Sequence, residues 1–424
     1  MVDDEKQAAI ERVLERMRKK LERDLKIGPQ RYDEIERQAQ EIGEELKRTI
    51  EEEVTRECGD GYVGNYRECP CGGRSRFRGR YRKQLISRSG PHVISRAYYY
   101  CASCLKGCCP LDGVLGLTNL ECTAGVTALS ARFCTYLPFR TAVAELEMVC
   151  GIKLSATTVA RHALAAGQAL SGAWAQREDL VNARKAPRSG YSPHHLQMSM
   201  DGAMIFVDGE WREAKLGCCY ETGDGGVINA SYYATLQNSA VFGRKVRVLA
   251  HYSGLDKCSH TSVVADGARW IWQEAGKYFP HSTQVLDFYH ASEHLWQMAH
   301  MRYGEGTEQA REWMRTQKGH LLEDRVDTVI KEVNNWKPRV SAKCEVRRKL
   351  IEYLGTHRHR MMYATVASKG YHIGSGVIEA GCKSVVKARM GGAGMRWSTK
   401  GAEAMLQLTA NWHTSQQYQL SIGN

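Results

Sequence analysis

The chain has 424 residues, enough for two to four domains and at least one large core, which excludes a lone binding peptide. Lysine and arginine outnumber aspartate and glutamate by 59 to 47, and the net charge of +12 favours polyanionic partners such as nucleic acid. There is no apolar run of the ~18 residues a membrane helix needs, and the opening MVDDEKQAAIERVLERMRKK is charged throughout, so a cytoplasmic chain with no membrane span is expected.

Fifteen cysteines in such a chain point to reduced thiols and metal ligation rather than a disulfide framework. Cys134, Cys150 and Cys218 sit among apolar residues and read as inert core thiols.

In chain order, residues 1–57 form a helical arm. Apolar residues three and four apart (Ile10, Val13, Leu14, Met17, Leu21) predict amphipathic helices over 5–26 and 33–56, separated by IGPQ. Their charges are mixed in sign, which fits a solvated arm used for assembly better than a DNA contact.

Residues 58–112 are rich in Gly, Cys, Arg and Tyr with strand-like alternation, the mark of a small separate module. Cys69/Cys71 and Cys101/Cys104 make two pairs about thirty residues apart, with a Gly-rich knuckle after the first and a hairpin between them. Four thiolates on two knuckles suit a tetrahedral structural zinc, which substitutes for a core too small to fold alone. The C-x-C spacing of the first pair is tight, and Cys58, Cys108, Cys109 and His92 stand as competing ligands. Between the pairs run Arg74, Arg76, Arg78, Arg80, Arg82, Lys83, Arg88 and Arg96, with no acidic residue and with Phe77, Tyr81 and Tyr98 interleaved. That pattern fits phosphate binding with stacking, the alternative being a solvated basic face.

Residues 113–181 read helical. An apolar helix, a turn at Gly151 and Ser155 as the N-cap of a second helix carrying Thr157, Thr158, Arg161 and His162 fit a helix-turn-helix with Arg161 on DNA, or any packed helical hairpin. NARKAPRSGYSPHH, 182–195, is the expected linker.

Over 196–290 the period switches. HLQMSMDGAMIFV, EWREAKLGCCYE and GVINASYYATLQ predict an antiparallel meander. A helix over 237–254, a strand TSVVA, a helix GARWIWQEAGKYF and a strand STQVLDFYH complete an α/β domain with a mixed sheet, which places ligands beyond strand ends. Asp201 stands within the first strand, where a charge requires a partner, a metal or an exposed face, and Asp266 and Asp287 end the fourth and fifth. Gly202 and Gly267 follow two of these acids and predict open space for a ligand. Asp266 equally fits an N-cap of the next helix. In 373–424, SGVIEAGCKSVVKARM has helical spacing with Glu379, Lys383 and Lys387 on one face. With Arg389, Arg396 and Trp397 nearby, this reads either as phosphate and base contacts or as an ordinary ion-paired surface helix.

Five stretches now resemble one family: CPCGG through YYYCASC and PLD, SMDGAMIFVDGEWREAKLG, VVADGARWIW, VLDFYHASEHLW and SGVIEAGCKSVVKARMGGAGMRWS. Over about residues 60–412 the chain is similar to DDE-type bacterial insertion-sequence transposases of the ISKra group. The resemblance implies an RNase H-like α/β catalytic domain, preceded by helical and small zinc-ribbon-like modules, with a helical insertion at 291–372 and a catalytic helix and tail at 373–424. It implies Asp201, Asp266 and Glu379 as the three catalytic carboxylates. DFYH resembles the D-x-x-H motif of Mutator-like relatives, which gives Asp287 and His290 supporting roles. Asp287 stays the alternative to Asp266 as middle carboxylate, and a core histidine the alternative for His290.

Three such acids would hold two magnesium or manganese ions about 4 Å apart, one activating water or a 3′-hydroxyl and the other stabilising the leaving oxygen. The expected activity is binding of an element's double-stranded terminal repeats, followed by metal-dependent DNA cleavage and strand transfer by a homo-oligomer, dimer or larger. Two other readings are a catalytically inactive DNA-binding regulator derived from such an element and a structure-selective nuclease that cuts without joining.

Overall fold

The amphipathic spacing of the arm gives α1 (Val2–Asp24) and α2 (Tyr32–Glu57), which pack as a hairpin in the computed structural model. Arg12 reaches Glu53 at 2.8 Å, and Arg16 reaches Glu52 at 2.5 Å and Glu45 at 3.0 Å. The structure describes residues 2–117, 121–223, 226–416 and 419–420. These fall into two compact units, one built from residues up to 134 and 139–162, the other from 135–138 and 163–422.

In the first unit a four-stranded antiparallel sheet follows the arm in the order β1 (Tyr66–Glu68), β2 (Arg74–Ser87), β3 (Gly90–Cys101), β4 (Lys106–Cys108). A two-residue turn, Arg88-Ser89, closes the β2–β3 hairpin, and a bulge at Phe77/Gly79 bends it. The hairpin then runs through α3 (Pro110–Val114) to α4 (Ala124–Tyr136), α5 (Phe139–Cys150) and α6 (Ala156–Asn182). Gly151, at φ +65°, ends α5, and the Ser155 hydroxyl accepts the Thr158 N–H at 3.1 Å to open α6, as expected. Residues 113–181 are not a module of their own. Ile86 of β2 bridges to Cys122, and Val126, Leu129, Cys150 and Ile152 close a small core there, so the segment up to 162 is mostly part of the first unit.

The second unit is a mixed five-stranded sheet with helices. Its strands are β5 (His195–Val207), β6 (Glu210–Gly223), β7 (Gly226–Thr235), β8 (His260–Ala265) and β9 (Thr283–Leu286), ordered β7-β6-β5-β8-β9. The meander β5-β6-β7 is antiparallel; β5, β8 and β9 are mutually parallel. α7 (Ser239–Tyr252) and α8 (Arg269–Tyr278) connect them. β9 is shorter than the sequence suggested: it stops at Leu286, and the Phe288-Tyr289-His290 stretch opens α9 (Phe288–Tyr303) because Asp287 caps it.

The expected insertion is helical throughout: α10 (Glu308–Leu322), α11 (Val326–Asn335), α12 (Ser341–His357) and α13 (Tyr363–Ala367) follow α9. Their apolar faces, including Met314, Val329, Leu354 and Tyr363, share one core with the strands and with α7 and α8. α14 (Gly376–Gly381) then runs through a π-helical turn, Cys382–Lys387, into α15 (Ala388–Met390), and α16 (Thr399–His413) ends the unit. Among the described residues no helix is long and apolar enough to cross a membrane.

Candidate metal centre and candidate active site

The two cysteine pairs meet. Cys69 Sγ lies 3.7 Å from Cys104 Sγ, Cys71 Sγ lies 3.7 Å from Cys101 Sγ, and all four sulfurs fall within 4.8 Å of one another. A disulfide needs about 2.05 Å; four sulfurs about 2.3 Å from a central zinc stand about 3.8 Å apart at the tetrahedron's edges. The cluster can therefore hold a metal such as zinc. The tight C-x-C spacing is accommodated by a backbone hairpin in which the Gly72 N–H donates to Cys69 O and the Cys69 N–H to Gly73 O, both at 2.9 Å. Amide donors favour two of the thiolates: the Cys104 N–H is the main cause pushing Cys101 down to about 6, and the Cys71 N–H lowers Cys69, whereas at Cys104 the pull of the Lys106 N–H is outweighed by burial and the neighbouring sulfurs, which push the thiol up. The competing ligands stay outside. His92 is buried against Ser87 and Glu51, and Cys108 takes a contact from Arg67.

In the second unit, strand register assembles the acids. β5 and β8 pair Met198 with Val263 and Ser199 with Val264; β8 and β9 pair Ala265 with Leu286. Followed one or two residues further, that register sets Asp201, Asp266 and Asp287 in a row across the three parallel strands, just past the ends of β8 and β9 and midway along β5. Glu379 comes from α14, which is seated on the sheet at Gly381. A methyl group there would stand 3.0 Å from Leu216 Cδ2 and Tyr232 Cε1.

Asp201 accepts the Gly202 N–H at 2.6 Å on one oxygen and the Cys382 thiol at 3.5 Å on the other. Burial pushes its carboxyl up; the Gly202 amide pulls it down, and the charges of Asp266 and then Glu379 push it up again. Lys215, the base paired with Gly202 in β6, is held by Glu213 at 2.7 Å. Among the described residues none of the four acids is in an ion pair, and the carboxylates do not close to the mutual 4.8 Å of the thiols.

Asp287 differs from Asp266. It is 1 % exposed; one oxygen accepts the His290 N–H at 2.7 Å, and the other accepts both the Ser375 N–H at 2.5 Å and the Ser375 hydroxyl. The Ser375 hydroxyl also lies 3.1 Å from Glu379 Oε1. Asp287 is thus a buried brace joining β9 and α9 to the start of α14, with its acceptors occupied. Asp266 takes one bond, from the Ala268 N–H at 2.9 Å, and is half-exposed. The His290 ring has Glu293 at 3.6 Å and the His294 ring at 5.4 Å.

The glycines do not clear space for a ligand. A side chain on Gly202 would meet Glu213, and one on Gly267 would meet Tyr353 of α12, so both volumes are filled by protein. Tyr353 was not legible in the sequence; its packing on Gly267, the residue after Asp266, is a tertiary contact from a distant segment with no motif of its own.

The expected DNA contacts divide. Arg76, Arg78 and Arg82 are exposed, Arg78 lies over Tyr100 at 5.8 Å, and Lys83 is half-buried. Arg80 is not free, because Asp60 from outside the hairpin pairs with it at 2.5 Å, as Asp112 does with Arg96. Arg161 is exposed on α6, whereas His162 beside it is buried. Lys383, Lys387 and Arg396 are exposed. Arg389 is a correction: it is 2 % exposed and sits over the Trp397 ring at 4.9 Å. The Trp397 indole N–H bonds Met390 O at 3.3 Å while its backbone extends β5 at Val207, so this pair holds the loop after α15 rather than facing solvent.

No curated protein matches the chain. The profile that does match runs over residues 31–419, from the arm through both the cysteine cluster and the acids, and the chain belongs to the uncharacterised protein family UPF0236.

Proposed function

We propose that the protein is a DDE-type transposase that binds the terminal repeats of an insertion sequence and performs metal-dependent DNA cleavage and strand transfer. One observation carries the reading: Asp201 and Asp266 stand side by side in strand register, the helical segment that carries Glu379 reaches Asp201 through Cys382, and among the described residues no cation is paired with these acids. Packing like charges with one of them desolvated costs stability, and a bound cation is the usual compensation. The strand order β7-β6-β5-β8-β9, with the antiparallel meander on one side and parallel strands on the other, is what an RNase H-like core requires.

The donor set is all hard oxygen, which fits magnesium or manganese, and Asp201, Asp266 and Glu379 would hold the ions. Bound there, two divalent ions would activate the attacking oxygen and stabilise the leaving one. The chain's own groups do the positioning. Asp287 fixes Ser375, Ser375 orients Glu379, and Cys382 steadies the second oxygen of Asp201. The π-helical turn beginning at Cys382 follows Glu379 by three residues, a distortion common at functional sites. In the first unit the cysteine cluster would be a structural zinc site, with Arg76, Arg78 and Arg82 contacting phosphates of double-stranded DNA, and the arm would join copies into a dimer or larger.

The test uses labelled element-end DNA with magnesium. Wild-type protein should cut it and join the cut ends to target DNA, while Asp201→Asn, Asp266→Asn and Glu379→Gln each lose cleavage by at least about a hundredfold and keep DNA binding. Cutting without joining would make the protein a nuclease; binding without cutting would make it a regulator.

A further inference from the structure

The Tyr353 hydroxyl is buried, and among the described residues it hydrogen-bonds to nothing. Such a group costs free energy in the fold, and in a native protein it calls for a reason. Its place is specific. The phenol edge lies on the backbone next to Asp266: a methyl group on Gly267 would stand 2.6 Å from Cε2 and 3.2 Å from Oη. The ring is packed between His294, with centroids 4.2 Å apart, and His357, at 4.9 Å. Neither imidazole takes the hydroxyl.

Burial is the main cause that pushes this phenol up, and the charges of Asp266, then Asp287, then Glu293 push it further. Asp287 already accepts three hydrogen bonds, and Glu293 is turned to solvent with its side chain 71 % exposed. Asp266 has spent one oxygen on the Ala268 N–H, and its second has no partner among the described residues. It is the acid with capacity to accept.

We infer that Tyr353, contributed by the helical insertion, is a positioning residue for Asp266, and that its hydroxyl hydrogen-bonds the Asp266 carboxylate when a divalent ion draws the acids together. The inference rests on the reading of Asp201, Asp266 and Glu379 as a divalent-ion site. It gives the insertion a part in the site that sequence spacing did not disclose, and it explains why residue 267 has no side chain. A neutral donor suits the task, because it orients a metal-bound carboxylate without competing for its charge.

The experiment compares full-length wild type with Tyr353→Phe, which deletes only the hydroxyl oxygen, and with Tyr363→Phe as control. Tyr363 carries a second buried hydroxyl without a partner among the described residues, and it plays no part in the proposed site. Manganese binding is measured by calorimetry, thermal stability in metal-free buffer, and cleavage of labelled DNA. For Tyr353→Phe the expected results are manganese affinity weakened by about 10–100-fold, the range for lost partners of metal ligands, slower cleavage, and a melting temperature equal to or above wild type. Tyr363→Phe should match or exceed wild-type stability with unchanged manganese affinity. Manganese binding and cleavage in Tyr353→Phe equal to wild type would overturn the inference, as would a melting temperature that falls in step with activity, since the hydroxyl would then serve the fold. A wild type that binds no manganese at this site removes the divalent-ion reading itself, a failure visible before any variant is compared.

Discussion

Asp201 is the residue where the proposed function and stability pull apart. The folded protein holds its carboxyl above the ordinary value, through burial first and then through Asp266 and Glu379. The native state therefore retains a proton that the unfolded chain would release in the window between the ordinary and the raised value, and stability falls as pH rises through that window. Replacing the charge should relieve the penalty. Asp201→Asn, measured metal-free by thermal melting, is expected to be more stable than wild type at pH 8 by a few degrees, with roughly 2–4 °C expected per kcal/mol in domains of about 150–250 residues. The gap should close toward pH 4, where the wild-type acid is protonated as well, and magnesium should raise only the wild type. A variant less stable than wild type at pH 8 would show that Asp201 is held by its neighbours rather than strained by them. The acid itself was legible, since a charge after QMSM in a strand breaks the pattern around it. The Asp266 against Asp287 choice was not, because both follow apolar strands, and it is burial and the acceptors taken up by Ser375 and His290 that distinguish them.

At the scale of elements, the cysteine module was legible in kind because four thiols at two knuckles leave few other physical options for a small sheet with little core. The roles of its arginines were less legible. The stretch between the cysteine pairs has no acid, but Asp60 and Asp112 fold back onto it from either side in sequence and neutralise Arg80 and Arg96. Alternation also misleads along the hairpin, since the buried positions are Ala97, Tyr99 and Cys101 near the cluster and His92 and Ile94 near the turn, a change of face between the two ends of β3. Metal binding in such a module is folding free energy, on the order of 10–16 kcal/mol for structural zinc in small peptides. Cys101→Ser should accordingly lose the stoichiometric zinc that native mass spectrometry is expected to find in wild type, and the first unit should melt well below its wild-type temperature. A chelator should do the same to wild type. Full zinc retention in Cys101→Ser would show that the metal is held elsewhere.

Across the whole molecule, charge is unevenly placed. The chain carries a net +12, yet residues 1–57 hold 17 acidic and 13 basic side chains, so the arm is poorly suited to a polyanion. Its apolar spacing is only partly used within the hairpin. Met17 and Thr49 are buried, but Ile10, Leu14 and Leu21 remain 42 %, 62 % and 38 % exposed on α1. These three follow the three-and-four spacing of a helix seam, with Met17 between them, which is the pattern by which helices find a second copy. The ion pairs of Arg12 and Arg16 with α2 hold the hairpin itself, so the stripe can be altered without removing what joins the two helices. The proposed transposase must hold two DNA ends at once, and this stripe is where its copies would meet. Leu14→Glu combined with Leu21→Glu should convert an assembled wild type to monomer by light scattering, with helix content and zinc content kept. Single-end DNA binding should persist, while joining that requires two ends falls away. A double variant that stays assembled would place the interface elsewhere, and a wild type that is monomeric even on paired DNA ends would remove the arm from assembly altogether.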